Sequence, residues 1–320
     1  MSVKVFITID TEEDSWGQYT TSGSVDNIER LPALQALFNK YGAIPTYLVN
    51  YPVATTTSSI KILSSFLEKG ECEIGTHCHP WNTPPYTEEL GRRNSMMCNL
   101  PYELLFEKMS NLREVTESNF GVPPVSFRAG RWGFNDDVAR CLTTLGYKID
   151  TSISPFIDWT RSLGPNFRHA STHPYYFSPE NIFESKGDGP LLEIPPTIGF
   201  YQSNFRFCEA LQHSLKKPVV SHLGLLGILD RLKLLNFHWL SPELSNSHEM
   251  ITLAERFVKS GHQFLNMSFH STSMLPGKSP FVQDENDLHT FLNRIETFLQ
   301  YAIKNGFEFL PLAESVKHIA

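Results

Sequence analysis

The sequence predicts an α/β protein whose parallel sheet is closed, or nearly closed, into a barrel. Three observations carry that expectation. Short apolar runs alternate along the chain with longer segments whose apolar residues recur at helical spacing, the pattern of parallel strands joined by crossover helices. Ionisable residues gather where the runs end: Asp10 and Glu12, His77 and His79, Arg128, Asp150 and His270. In barrels those strand ends converge on one catalytic rim. Finally, 320 residues is an ordinary length for one such barrel, so residues 1–320 read as one domain, with insertions at about 154–190 and 199–261.

Taken in order, residues 3–10 form a strand, with Val5, Ile7 and Ile9 alternating against Phe6, Thr8 and Asp10. It must end in the acidic run Thr11-Glu12-Glu13-Asp14. Residues 27–42 are helical, with Ile28, Leu31, Leu34, Leu37 and Phe38 on one stripe and Gly42 as a stop. A strand at 44–50, a helix at 59–70 and a strand at 72–79 follow, then a Pro- and aromatic-rich loop from Pro80 to Tyr86. Next come a helix at 102–119, a strand at 125–128, a helix at 136–146 and a strand at 147–153. Beyond them lie strands at 191–197 and 265–270, a long helix at 286–305 and a last strand at 307–312.

The composition, 41% hydrophobic and 19% charged, is that of a globular protein with ample core. A net charge of −7 without basic runs excludes a nucleic-acid partner. Five cysteines with no Cys-x-x-Cys pair fit a reducing compartment better than a disulfide framework. The chain enters its first strand without signal-peptide anatomy, so a cytoplasmic location is expected. The apolar run 219–229 is too short to span a bilayer. Residues 223–239 would be buried, or would lie peripherally at the inner membrane.

The candidate chemistry follows from side-chain types at fixed spacing. In an extended segment residues i and i+2 share a face, so His77 and His79 project together, and so do Asp10 and Glu12. Two imidazoles and a carboxylate suit a divalent metal, zinc above all. Glu12 is the first choice for the acidic ligand, with Glu13 or Asp14 as alternatives. Arg128 would pair with Asp10 and hold its carboxyl down. His270 can give or take a proton near neutral pH. Asp150 would orient that ring, unless it caps the turn before Ser152. Trp81, Tyr86, Trp132 and Trp159, with Arg131, stand in rim loops suited to stacking on sugar rings. There is no Gly-x-Ser-x-Gly elbow, P-loop or Gly-x-Gly-x-x-Gly motif.

These residues together resemble the NodB-homology polysaccharide deacetylases, carbohydrate esterase family 4. Thr8-Ile9-Asp10-Thr11-Glu12 looks like the family's first motif, with an Asp base and an acidic metal ligand nearby. Glu73 to Pro80 looks like its metal-binding histidine motif, and Phe127 to Gly133 like the motif whose Arg orients the base. Tyr147 to Ser152 is similar to the strand whose Asp tunes the acid, and Phe269-His270-Ser271 stands where the family keeps its catalytic His. The likeness runs over roughly residues 3 to 315. Two departures stand out: the histidines are two apart rather than four, and Glu12 follows Asp10 after a spacer rather than directly. Trp81 to Pro85 and His270 to Gly277 look most like the WalW-type branch, associated with surface-polysaccharide and lipopolysaccharide genes.

The resemblance implies a distorted (β/α)7-type barrel. It also implies a metal-dependent hydrolase that removes N-acetyl from an amino sugar of a bacterial surface polysaccharide or lipopolysaccharide precursor. Asp10 would be base and His270 acid, on a glycan or a lipid- or nucleotide-linked sugar. Two other readings remain open: a metal-independent amidohydrolase acting on a small amide, and a barrel without activity that binds glycan as an accessory protein.

Overall fold

Lys4–Thr11 (β1) is buried along nearly its whole length because it lies inside the sheet, flanked on both sides. Its two faces meet different surroundings. Val5, Ile7 and Ile9 join the main apolar core, while Phe6 joins a second cluster with Ile149, Leu192, Ile194 and Leu312. Phe6, Thr8 and Asp10 share the second face, so that face passes from an apolar floor to an ionised rim. The computed structural model describes residues 2–216 and 224–319.

Around β1 the chain lays down Thr46–Val49 (β2), Glu73–Cys78 (β3), Ser126–Ala129 (β4), Ile149–Asp150 (β5), Tyr175–Phe177 (β6) and Leu191–Glu193 (β7). Ile198–Phe200 (β8) and Phe237–Trp239 (β9) form a separate hairpin, followed by Phe264–His270 (β10) and Glu308–Phe309 (β11). The main sheet runs β10-β1-β2-β3-β4-β5-β7-β6, parallel throughout except for the antiparallel edge strand β6. Seven parallel strands therefore curl around the interior, as the resemblance implies. β11 pairs only with the start of β1, below the point where β2 takes over. Between β7 and β10 there is no ladder, but Thr197 N donates to Asn266 O at 3.0 Å and Ser268 N to Leu240 O at 3.1 Å, nearly closing the barrel.

Helices cover the outside: Leu31–Lys40 (α1), Tyr51–Thr55 (α2), Thr57–Leu67 (α3), Tyr102–Phe120 (α4) and Asp136–Thr144 (α5). Phe205–Leu215 (α6) and Leu225–Arg231 (α7) belong to the 199–261 insertion, and Ser247–Lys259 (α8) and Glu285–Lys304 (α9) complete the shell. Their starts are capped locally. Asn246 and Glu249 form a capping box on α8, and the Asp284 carboxylate accepts from Asn286 N and Asp287 N at the head of α9. Gly121, in the left-handed region at φ +73°, ends α4. Among the described residues no helix is long and apolar enough to cross a membrane.

Several expected elements are shorter than their apolar runs. The strand expected at 147–153 is only Ile149–Asp150, because Thr151 and Ser152 turn their hydroxyls to Ile194 O and the Asp150 carboxylate. The one expected at 191–197 stops at Glu193, ahead of Pro195 and Pro196, which have no N–H for a ladder. The helix expected from 27 opens as a 3-10 turn, Asp26–Arg30, before α1. Part of the apolar run expected at 219–229 lies outside the described residues. Of residues 224–239, Leu226 and Leu229 pack against Phe200 and Cys208, while Ile228, Leu232 and Leu234 are exposed, so the burial expected there holds only in part.

Candidate active site

Parallel register brings the strand ends level. Asp10 on β1 stands opposite His270 on β10, and His77 on β3 opposite Arg128 on β4. Arg128 is wholly buried and spends its donors inward: Nη1 to Asp10 Oδ1 at 2.6 Å, Nη2 to Thr8 Oγ1 at 2.6 Å and Nε to Thr151 O at 3.0 Å. Burial alone would raise the Asp10 carboxyl. The charges of Arg128, His77 and His270 outweigh it and bring the group down to about 2. Asp10 is thus an ionised carboxylate with one oxygen committed to Arg128. Its other oxygen, Oδ2, faces His270 Nε2 at 3.7 Å.

The second cluster is Glu12, His77 and His79, all buried. His77 Nδ1 donates to the Arg128 carbonyl at 3.1 Å. A carbonyl can only accept, so the proton is on Nδ1 and Nε2 carries a lone pair. His79 Nδ1 lies 3.3 Å from Glu13 Oε2, close in distance though poorly aligned for a hydrogen bond. Burial pushes Glu13 up, but the neighbouring His79 and the hydrogen bond from Trp81 overcome it and bring it to about 2, so Glu13 can only accept. The Nε2 atoms of both rings face inward, that of His77 as a lone pair and that of His79 likewise when its ring proton is on Nδ1. They lie 2.9 Å apart, with Glu12 Oε2 3.5 Å from His77 and 3.3 Å from His79. One proton could bridge two of these atoms, whereas a metal ion could be shared by all three. Tetrahedral coordination with bonds of about 2.0–2.2 Å sets its ligands about 3.3–3.6 Å apart, the spacing of Glu12 from each ring, while the two Nε2 atoms stand closer together. The trio could hold a divalent metal, with Arg128 O and Glu13 fixing the rings from behind.

Of the three acidic candidates, only Glu12 meets both rings. Asp14 turns away to accept from Ser24 Oγ, Asp26 N and Asn27 Nδ2. Glu12 is pushed up to about 7 by burial, against the pull of His270 and His79. Gly130, where β4 ends, lies hard against this cluster: a Cβ there would stand 2.5 Å from Cys78 O and His79 Cδ2, so only glycine fits.

Asp150 does not reach His270, and the expected pairing is corrected here. Its carboxylate closes an Asx turn, accepting from Ser152 N at 3.1 Å and Ser152 Oγ at 2.6 Å, and is pushed up to about 6 by burial. The partner of His270 is Glu243, whose Oε2 lies 2.9 Å from Nδ1 while its Oε1 accepts from His270 N at 3.0 Å and from Ser273 Oγ. Burial would lower the ring; the Glu243 charge and hydrogen bond prevail and raise it to about 10. Glu243 lies in the 199–261 insertion, in Ser241-Pro242-Glu243, and carries no local signature of its role.

Above these groups opens a cavity of about 340 Å³. All five tryptophans of the chain line it: Trp16, Trp81, Trp132, Trp159 and Trp239. Trp81 is buried, stacked on His79 at 4.1 Å, and donates to Glu13 at 3.2 Å, so one of its faces holds the imidazole. Trp132 lies parallel to Trp159 at 6.5 Å and edge-on to Trp239 at 5.6 Å. Trp16 meets the His270 ring edge-on at 4.7 Å. Tyr86, expected at the rim, is not among the lining residues; its hydroxyl donates to Asn82 O and Lys108 lies over its ring. Trp16 and Trp239 lie outside the loops that drew attention in the sequence.

No known family profile matches the sequence, and no curated protein does. Solved structures do match. One, from Parabacteroides distasonis and described as a glycoside hydrolase/deacetylase, superposes with a TM-score of 0.62 at 13% identity, over 99% of this chain and 71% of that one. Another, from Mycobacterium smegmatis and assigned as a polysaccharide deacetylase, gives 0.55 at 15% identity over 99% and 89%. The fold is the polysaccharide-deacetylase fold. A Puue allantoinase shares it as well, with a TM-score of 0.53 at 12% identity over 98% of this chain and 89% of that one. At these identities the deacetylase fold is what the likeness establishes.

Proposed function

We propose that this protein is a metal-dependent deacetylase that hydrolyses the acetamide of an N-acetylated amino sugar. One observation carries the reading: three possible ligand atoms, from Glu12, His77 and His79, converge beside an ionised Asp10 and a protonated His270 at the bottom of one aromatic cavity. A divalent ion there, zinc by the chemistry of two imidazoles and a carboxylate, would acidify water and draw charge from the amide carbonyl. Asp10 Oδ2, turned from Arg128, takes the proton of the attacking water. His270, held by Glu243, gives a proton to the departing amine. The tryptophans offer apolar faces to a sugar ring. We further propose a substrate among the precursors of bacterial surface polysaccharide or lipopolysaccharide, lipid- or nucleotide-linked, from the WalW-like motifs.

The test is acetate release from acetylated amino-sugar intermediates by the zinc-loaded protein. Release abolished by chelation supports the proposal. Release indifferent to chelation points to the metal-independent amidohydrolase reading, and tight glycan binding without any release points to an accessory protein.

The acid gives a pH prediction. Turnover needs the protonated His270 ring, so activity falls as pH rises through its pKa. Glu243 raises that pKa and keeps the ring charged to higher pH. Glu243→Gln should therefore move the alkaline limb of the kcat/KM profile to lower pH, and Asp150→Asn should leave it in place. A limb that moves with Asp150 and not with Glu243 would return the orienting role to Asp150.

A further inference from the structure

The acids that line the cavity are all engaged within the protein: Asp10 by Arg128, Glu12 by the two histidines, Glu13 by Trp81 and Asn50, Glu243 by His270 and Ser273. Arg131 is the lining residue with a permanent positive charge, and none of these acids is its partner. Its Nη1 donates to the Tyr19 hydroxyl, its guanidinium lies 5.3 Å from the Tyr19 ring, and its buried Nε has no partner. Arg131 and Trp132 are consecutive non-glycine residues in the left-handed region, at φ +55° and +62°, a strained arrangement of the kind found at binding sites. That turn places the Arg131 guanidinium on the cavity wall next to Trp132, whose ring lies parallel to Trp159 and 5.2 Å from the Arg128 guanidinium. A guanidinium on an aromatic wall with a buried open donor is costly unless an acceptor arrives. The acceptor that fits its geometry is planar or tetrahedral and anionic, a carboxylate or a phosphate.

We infer that Arg131 forms a subsite for an anionic group of the substrate, a phosphate or carboxylate borne next to the acetylated sugar. This rests on the deacetylase reading for the sugar, and on Arg131 alone for the charge. An uncharged acetylated glycan would leave the fork without its counter-charge, whereas a sugar phosphate or a uronate neighbour would fill it.

The experiment measures binding, so it does not depend on turnover. Titration calorimetry with the zinc-loaded 320-residue protein compares N-acetylglucosamine with N-acetylglucosamine 1-phosphate, with uridine diphosphate N-acetylglucosamine, and with an N-acetylhexosamine–glucuronate disaccharide. At least one anionic ligand should bind about tenfold or more tighter than the neutral sugar, the worth of charge-assisted hydrogen bonds, and added salt should erode the preference. The ligand that gains most tells phosphate from carboxylate. Arg131→Gln should abolish most of the preference for the anionic ligands over the neutral sugar while zinc content stays as in the wild type, and Arg131→Lys should restore part of it. Equal affinity for all four ligands, or a preference that survives in Arg131→Gln because the zinc itself holds the anion, overturns the subsite. An intact, Arg131-dependent preference in a protein that releases no acetate overturns the deacetylase reading instead.

Discussion

Asp10→Asn is expected to keep the fold and the metal and to lose turnover by on the order of 10²–10⁴-fold, the usual worth of a general base. The amide is nearly isosteric, and its oxygen can still accept from Arg128 Nη1, so the network through Thr8 and Thr151 survives. What disappears is the basic oxygen facing His270 across 3.7 Å. Metal content measured beside kcat separates this from a binding defect. Glu12→Ala should behave in the opposite way, losing metal first. If Asp10→Asn turned over at nearly the wild-type rate, the base would have to be Glu13, which is already bonded to Asn50 and Trp81.

The second large effect concerns the metal. Wild-type protein should purify with about one divalent ion per chain, and His77→Ala should strip most of it, with activity falling in proportion. His77 presents its Nε2 because the Arg128 carbonyl fixes the other nitrogen. Loss of that ring removes one of three ligands and leaves Glu12 and His79 too few to hold the ion tightly. His79→Ala should act likewise, because its ring stands as close to Glu12 as that of His77. Elemental analysis of the His77→Ala, His79→Ala double variant is decisive: full occupancy there would place the metal elsewhere.

The resulting picture differs from the sequence-based expectation in instructive places. Asp10, Glu12, His77, His79, Arg128 and His270 could be picked out because each sits at or just beyond a strand end, where period 2 decides the face and parallel register decides the level. The pairing of His270 could not be. Asp150 stands on a strand of the same barrel and looks equivalent in one dimension. Yet it is drawn into its own turn by Ser152, two residues on, a local bond that costs little chain entropy to form. Glu243 reaches the ring only because the insertion after β9 folds back over the rim, a contact made by packing and invisible in spacing. The same holds for the aromatic wall. Trp132 and Trp159 belong to loops that could be recognised as rim loops, but Trp16 and Trp239 join them only once the loop after β1 and the β8–β9 hairpin are in place.

The amino-acid sequence by itself determined the strand and helix order, the interior face of β1 and the convergence of two imidazoles with an acidic run. Each of these follows from backbone periodicity over a few residues. Tertiary structure alone decided which acid holds His270, that Asp14 leaves the site and that Trp81 braces His79 from behind. It also decided that Arg131 faces a cavity whose acids are all engaged. Those outcomes depend on where loops close and on which buried donors and acceptors meet. Side chains far apart in the chain are chosen there by the cost of leaving a charge or a hydrogen bond unsatisfied.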